Sequence, residues 1–363
     1  MRLNSAEFIM EMHSGNVIRN AEERKAFYAK IDPHSLAPLW EVLKGLIPNE
    51  PKPLAQPHVW DYDVMRPLLL ESGGLLTAKE AERRVLVLEN PGLRGQSLMT
   101  DVLYGGLQII MPGEVAIAHR HTQSALRFII EGEGAYTAVH GERSMMKPGD
   151  FVITPAWNWH DHGNESAQPM VWLDGLDIAI VSLFRGQFRE EHDAERFPLT
   201  RPEGDALARY GSGLLPIDHQ PTGLSSPVFN YPYLRTRDAL YALSRGSACD
   251  AHHGWKMRYV NPLDGGWAMP TIATTISHLP KGFTGQPYQC TDGVGFVCTE
   301  GSGETHVTLT DGNVRVLKWK TKDTFIVPGW LKHSHHAHED AVIFGFSDRS
   351  AQEKLGLWRE RKF

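Results

Sequence analysis

Three histidines carry the sharpest chemical signal in the chain. His119 and His121 flank one arginine in GEVAIAHRH (113–121), and His160 follows in GDFVITPAWNWHDHGN (149–164). Residues two apart on a β-strand project to one face, so His119 and His121 can point together into a barrel. His160 comes after a further strand and a proline-containing turn, where a neighbouring strand can bring it to the same place. Neutral imidazoles suit iron, copper, nickel, zinc or manganese, and three of them leave coordination positions open. An isolated His-x-His pair is more often surface or core than ligand, but the second segment within one barrel length reverses that balance.

Arg127 lies an even number of residues beyond His121 and is expected to share its inward phase. A guanidinium inside a barrel is costly unless paired, so an inward Arg127 points to an anionic ligand held by a planar fork. Gln108 occupies an inward-phase strand position as a substrate contact. Tyr104 and Gly106 precede it and are expected to line the same pocket wall.

The elements that must position these residues are mostly strands. Runs such as VLYGGLQIIM, ALRFIIEG, GAYTAVHG, DFVITPA and MVWLDGLDIAIV recur between Gly, Pro, Asn and Asp, the texture of a sandwich or barrel. Helices are predicted over 21–48, with Phe27, Leu39, Trp40, Leu43 and Leu46 as an apolar face, over 60–72 ending at Gly73-Gly74, and over 236–245. Residues 270–348 repeat the strand texture. EGEGAYTAVHGERSMMKPGDFVITPAWNWH and EGSGETHVTLTDGNVRVLKWKTKDTFIVPGWLKH share a pattern that implies a duplicated domain. The length of 363 residues fits two domains.

The expected boundaries are a helical segment over 1–80, a metal-bearing barrel over 81–184, an irregular and helical linker over 185–265, a second barrel over 266–350, and a tail over 351–363. The second barrel has no histidine near Pro287-Tyr288-Gln289, where the first has His119 and His121, so it is expected to lack a metal. His333 matches His160, and the cluster His333, His335, His336 and His338 has no further partner in the sequence.

A net charge of −6 gives no electrostatic footprint for nucleic acid and no attraction to an anionic membrane. Three cysteines (Cys249, Cys290, Cys298) without a Cys-x-x-Cys spacing fit a reducing compartment. The polar N-terminus does not read as a secretory leader, and no apolar run is long enough to span a bilayer, so a soluble cytoplasmic protein is expected.

The two histidine segments resemble the paired motifs of the cupin superfamily, G-x5-H-x-H-x3,4-E-x6-G and G-x5-P-x-G-x2-H-x3-N. Two departures stand out: Ala125 falls at the usual glutamate ligand, and Trp157 at the glycine after the proline. Losing the glutamate leaves a three-histidine site with room for a bidentate substrate and dioxygen. PGEVAIAHRHTQSALRFIIEGEGAYT, ERRVLVLENPGL, WLDGLD and RYVNPLDGGWAMPT together resemble the gentisate 1,2-dioxygenase family, whose relatives act on salicylate and 1-hydroxy-2-naphthoate.

That resemblance implies an all-β bicupin with N-terminal helices: two tandem double-stranded β-helix (jelly-roll) barrels in a homotetramer. It implies one Fe(II) per subunit, in the N-terminal cupin on His119, His121 and His160. The implied reaction is an extradiol-type cleavage between the carboxyl- and hydroxyl-bearing carbons of a small aromatic acid. Both atoms of O2 enter the product, which for gentisate is a keto acid such as maleylpyruvate. Arg83 matches the family's second carboxylate-binding position, His162 a position for proton transfer, and Asp174 an acidic position beside it. Substituted salicylates are expected as substrates alongside gentisate, because Gly106 is small. A metal-dependent isomerase or decarboxylase, or a non-catalytic binding cupin, are the competing classes.

Overall fold

The structure, a computed structural model, describes residues 21–219 and 223–363. The first twenty residues, where no secretory leader was read, lie outside the described residues. The chain divides into two compact units, Met1–Pro51 and Lys52–Phe363. The first contains the helices Ala21–Ile31 and Leu39–Leu46. Within it Phe27 stacks on Trp40 with ring centroids 6.4 Å apart, and all five residues of the expected apolar face remain exposed.

The second unit holds two barrels, each made of a six-stranded and a five-stranded antiparallel sheet. In the first barrel the large sheet runs in the order Asn230–Tyr231, Phe151–Thr154, Ala125–Glu131, Met170–Leu176, Tyr104–Ile110, Val85–Val87. The smaller sheet runs Arg189–Glu191, Val115–His121, His160–Asn164, Ala135–Val139, Glu142–Met145. The second barrel repeats this plan. Its large sheet contains Thr324–Val327, Val294–Glu300, Ala341–Ser347 and Ala273–Leu279, and its small sheet Ser302–Thr308 and Lys332–Ala337.

The two barrels share one core. Phe128 and Phe151 of the first sheet pack with Phe344 and Tyr259, and the Phe128 and Phe344 rings stack 4.1 Å apart. Each fully buried phenylalanine contributes roughly 1.5–3 kcal/mol relative to exposure, so this seam holds the barrels as one body.

The expected segment boundaries are crossed by strand pairing. Residues His58–Trp60, inside the segment read as helical, pair with Thr324–Ile326 of the second barrel. The expected linker supplies three edge strands: Arg189–Glu191, Asn230–Tyr231 and Trp255–Arg258. The expected tail forms a strand, Glu360–Lys362, against Tyr288–Cys290. Covered edges of this kind remove open hydrogen-bonding groups from the sheet margins.

The helix Tyr62–Leu75 begins at Asp61, whose carboxylate accepts from Asp63 N–H at 2.9 Å, a standard N-cap. It passes through Gly73-Gly74, where the sequence reading ended it. A Cβ on Gly73 would stand 2.8 Å from Met111 Sδ, so the glycine permits a close approach to the neighbouring sheet. No helix among the described residues is long and apolar enough to cross a membrane.

Candidate metal centre

The ligand strand Val115–His121 pairs with His160–Asn164 so that His119 faces His160 directly. A register shift between Ala116 and His119 lets the strand bend at that point. One ring nitrogen from each of His119, His121 and His160 lies within 4.8 Å of the others, the one such grouping among the described residues. His121 Nδ1 lies 2.9 Å from the Gln123 carbonyl and His160 Nδ1 2.9 Å from the Asn158 carbonyl. Those carbonyls only accept, so each Nδ1 carries the proton and each Nε2 lone pair is free for a metal. His160 Nε2 is buried without any hydrogen-bond partner. Burial and neighbouring guanidinium groups push His121 down to about 4 and His119 to about 2, and hold His160 well below its usual value. Three neutral imidazoles around an orphaned nitrogen fit a divalent metal.

The tryptophan in the motif is also explained. Trp157 has φ 62°, in the left-handed region that favours glycine, and Trp330 takes the same φ of 62° in the second barrel. The turn is held by Trp157 N–H donating 2.7 Å to the His121 carbonyl, and the indole lies 4.5 Å beneath the Arg120 guanidinium.

A cavity of about 310 Å3 opens beside the three histidines. Its wall includes Arg83, Tyr104, Gln108, Ala125, Arg127 and Asp174. Ala125 lines the site, so no side-chain ligand replaces the usual glutamate. Arg127 stands opposite Asp174 in the strand register, with Nε 3.5 Å from Asp174 Oδ1 and Nη1 2.5 Å from Thr154 Oγ1. Desolvation raises the Asp174 carboxyl to about 6 despite Arg127, and Trp172 Nε1 donates to it at 3.0 Å. Arg83 faces the cavity, whereas Arg84 turns away to pair with Glu114 at 2.7 Å. Burial and Arg127 bring Arg83 down to about 10.

His162 and Gly106 are not among the cavity-lining residues. His162 is fully buried two residues along the strand from His160, its ring centroid 5.7 Å from that of His160. Its partner is Thr137, whose hydroxyl lies 2.9 Å from Nδ1 and itself donates to Met146 Sδ at 3.2 Å. That chain places the proton on Nδ1 and leaves Nε2 free. No hydrogen bond joins Asp174 to His162; Trp172 stands between them. Gly106 sits opposite Asp174. A Cβ there would lie 2.5 Å from Val85 Cγ1 and 2.7 Å from the Tyr104 hydroxyl. Gly106 therefore makes room for Tyr104 first, and for a substrate only through it.

The cavity wall also contains Glu82, Val85, Leu176, Ile178 and Arg189, which sequence reasoning did not single out. Leu176 and Val85 share the inward phase of residues that were found. Arg189 had no signal, because its three-residue strand lies in a segment read as irregular.

The second barrel keeps half of this arrangement. His335 Nδ1 lies 2.8 Å from Thr305 Oγ1, as His162 does from Thr137, and His333 Nδ1 is 3.2 Å from the Leu331 carbonyl. Tyr288 faces His333 where His119 faces His160, and the space between is only about 30 Å3. That is room for water, not for an aromatic acid. The histidine cluster splits by strand phase: His336 packs on His306 at 4.3 Å between centroids, and His338 faces Glu304 at 3.8 Å.

Two duplicated jelly-roll barrels with a three-histidine centre in the first define a bicupin metalloprotein, and residues 106–176 match the Cupin domain family model. The chain is 54% identical to gentisate 1,2 dioxygenase 1 of Aquipseudomonas alcaligenes, over 94% of this chain and 97% of that one. It is 32% identical to 5-aminosalicylate 1,2-dioxygenase of Comamonas sp, covering 91% and 87%. A mutant salicylate 1,2-dioxygenase from Pseudoaminobacter salicylatoxidans in complex with gentisate superposes with a TM-score of 0.88 at 33% identity, covering 96% and 97%. The chain belongs to the gentisate 1,2-dioxygenase family of ring-cleaving dioxygenases.

Proposed function

We propose that this protein is a non-haem Fe(II) dioxygenase that opens gentisate between its carboxyl- and hydroxyl-bearing carbons. The observation that carries this reading is the convergence of three neutral imidazoles and two inward arginines, Arg83 and Arg127, on one cavity. A bound Fe(II) on His119, His121 and His160 would supply Lewis acidity and a meeting point for the acid and O2.

The chain's own residues do the rest. Arg127 and Arg83 take the substrate carboxylate, Asp174 holds Arg127 in position, and their low-dielectric setting strengthens the contact. His162 is neutral with Nε2 free but lies off the cavity wall, so it backs His160 rather than meeting the substrate hydroxyl. Tyr104 and Gln108 bound the ring and fix its orientation. 5-Aminosalicylate deserves equal trial, since the Comamonas relative is named for this salicylate, which differs from gentisate only at ring carbon 5. The same reading includes a cytoplasmic homotetramer, which sedimentation checks.

The test is iron-reconstituted protein supplied with gentisate, salicylate, 5-aminosalicylate and 1-hydroxy-2-naphthoate, with oxygen uptake and ring-opened product read together. One O2 consumed per ring opened is expected. Product formed at the same rate without oxygen would instead indicate an isomerase or decarboxylase.

A further inference from the structure

The mouth of the cavity is framed by two residues that neither hold the metal nor reach the inner carboxylate site. Glu82 has φ 51° and ψ −51°, and the N–H of Arg83 donates back to the Ala81 carbonyl across it. This is a γ-turn of the rare, strained kind, and it aims Glu82 outward while turning Arg83 in. Arg189 sits opposite His121 in the strand register, and its Nη2 lies 2.8 Å from Glu82 Oε2 and 3.1 Å from Glu191 Oε1. Its side chain is 50% exposed and that of Glu82 62%, against 5% for Arg127. Arg189 and Glu82 nevertheless both line the cavity beside the three histidines. A single carboxylate is satisfied by the two inner arginines, which leaves Arg189, with its partner Glu82, to meet another part of the ligand.

The substrate's shape says which. An ortho-hydroxy acid that chelates through carboxylate and hydroxyl turns ring carbons 1 and 2 toward the metal. Carbons 4 and 5 then form the opposite edge and face the mouth. Resting on the dioxygenase reading above, we propose that Arg189 and Glu82 read the substituent on that outer edge. Arg189 donates to an oxygen on carbon 5, and Glu82 accepts the proton of a 5-hydroxyl. A hydroxyl is donor and acceptor at once, so it satisfies both partners when it enters between them. The exposed ion pair it must part is a weak one. An unsubstituted ring leaves the pair closed and gains nothing from it.

The test compares gentisate with salicylate on wild-type protein and on Arg189→Leu, Arg189→Lys and Glu82→Gln. Two readouts are taken: kcat/KM in air, and dissociation constants of both acids measured without oxygen. Arg189→Leu is expected to cut the gentisate-over-salicylate ratio about tenfold in both readouts, the scale of one charged hydrogen bond. Glu82→Gln moves it the same way by less, and Arg189→Lys keeps part of it. A ratio within twofold of wild type for Arg189→Leu, or for Arg189→Lys and Glu82→Gln together should the leucine variant not fold, overturns the proposal. Wild-type protein that turns over neither acid overturns the dioxygenase reading instead, and the binding ratio then still decides the role of Arg189.

Discussion

Arg83 Nη2 lies 2.6 Å from Nδ1 of His119, and that same Nδ1 lies 3.1 Å from the Ile117 carbonyl. A guanidinium only donates. His119 Nδ1 can therefore accept from Arg83 or donate to Ile117, but not both. Ligation of a metal through Nε2 requires the second choice, which releases Arg83 for an incoming carboxylate. Metal and Arg83 thus compete for one imidazole, and Arg83→Gln should tighten metal binding several-fold in a chelator competition. The same variant should raise KM for gentisate by about 10- to 100-fold, the loss of a charged hydrogen bond. Weaker metal binding in Arg83→Gln would contradict this competition.

The two barrels offer a built-in comparison for the ligand assignment. His160 and His333 occupy matched positions, yet the His160 ring has the His119 and His121 imidazoles beside it, 4.2 and 4.9 Å away between centroids, and His333 has Tyr288 across from it. His119→Ala and His160→Ala should each lose bound iron and lower turnover by more than about 100-fold, beyond the usual effect of a residue that only orients a ligand. His333→Ala should keep the iron content and most of the activity. Metal analysis and an oxygen trace on the three variants settle it, and full iron occupancy in His119→Ala would refute the site.

Asp174 gives a prediction with a definite sign. Burial raises its carboxyl to about 6 in the folded protein, against an ordinary value of about 3.9. The folded state therefore holds the proton more tightly, and this group's contribution falls as pH rises from about 4 to 6. Asp174→Asn cannot ionise and lacks that change. The variant should gain on the wild type over this range, by roughly 2–3 kcal/mol in full, and the gap should level off above it. Unfolding curves at pH 4, 5, 6 and 7 measure the gap; a flat line would mean that Asp174 is not the buried acid described.

What could be read from the chain follows the range of the interactions. His119 and His121 are visible because strand alternation is local, and Arg127 because its phase counts from them. His160 required a motif, since it arrives from another strand. The partner of His162 was not legible: Thr137 lies on a strand brought alongside only by the fold. Arg189 was missed for the same reason, its strand being three residues long and defined by pairing with the ligand strand. Short strands such as His58–Trp60 and Glu360–Lys362 join distant sheets across the expected boundaries, a pairing that no local pattern encodes. Gly73-Gly74 misled because a helix stop and a close helix–sheet approach call for the same residue.

Trp157 shows how one position can carry two opposed terms. Its left-handed φ of 62° costs a residue with a Cβ about 1–2 kcal/mol, while its ring gains the Arg120 contact at 4.5 Å and an edge contact with Phe188 at 6.2 Å. Removing the ring in two ways separates the terms. Trp157→Ala loses the contacts and keeps the strain; Trp157→Gly loses both, at the entropic cost of about 0.5–1 kcal/mol that glycine brings to the unfolded chain. The balance leaves the glycine variant more stable than the alanine variant by about 0.5–1 kcal/mol. The same order is expected for Trp330, which has the same φ in the second barrel. Denaturant unfolding of the four variants tests this, and an alanine variant as stable as its glycine counterpart at both positions would remove backbone strain from the account. Because the Trp157 N–H also holds the His121 carbonyl at 2.7 Å, iron affinity should follow the same order at residue 157 and stay unchanged at residue 330.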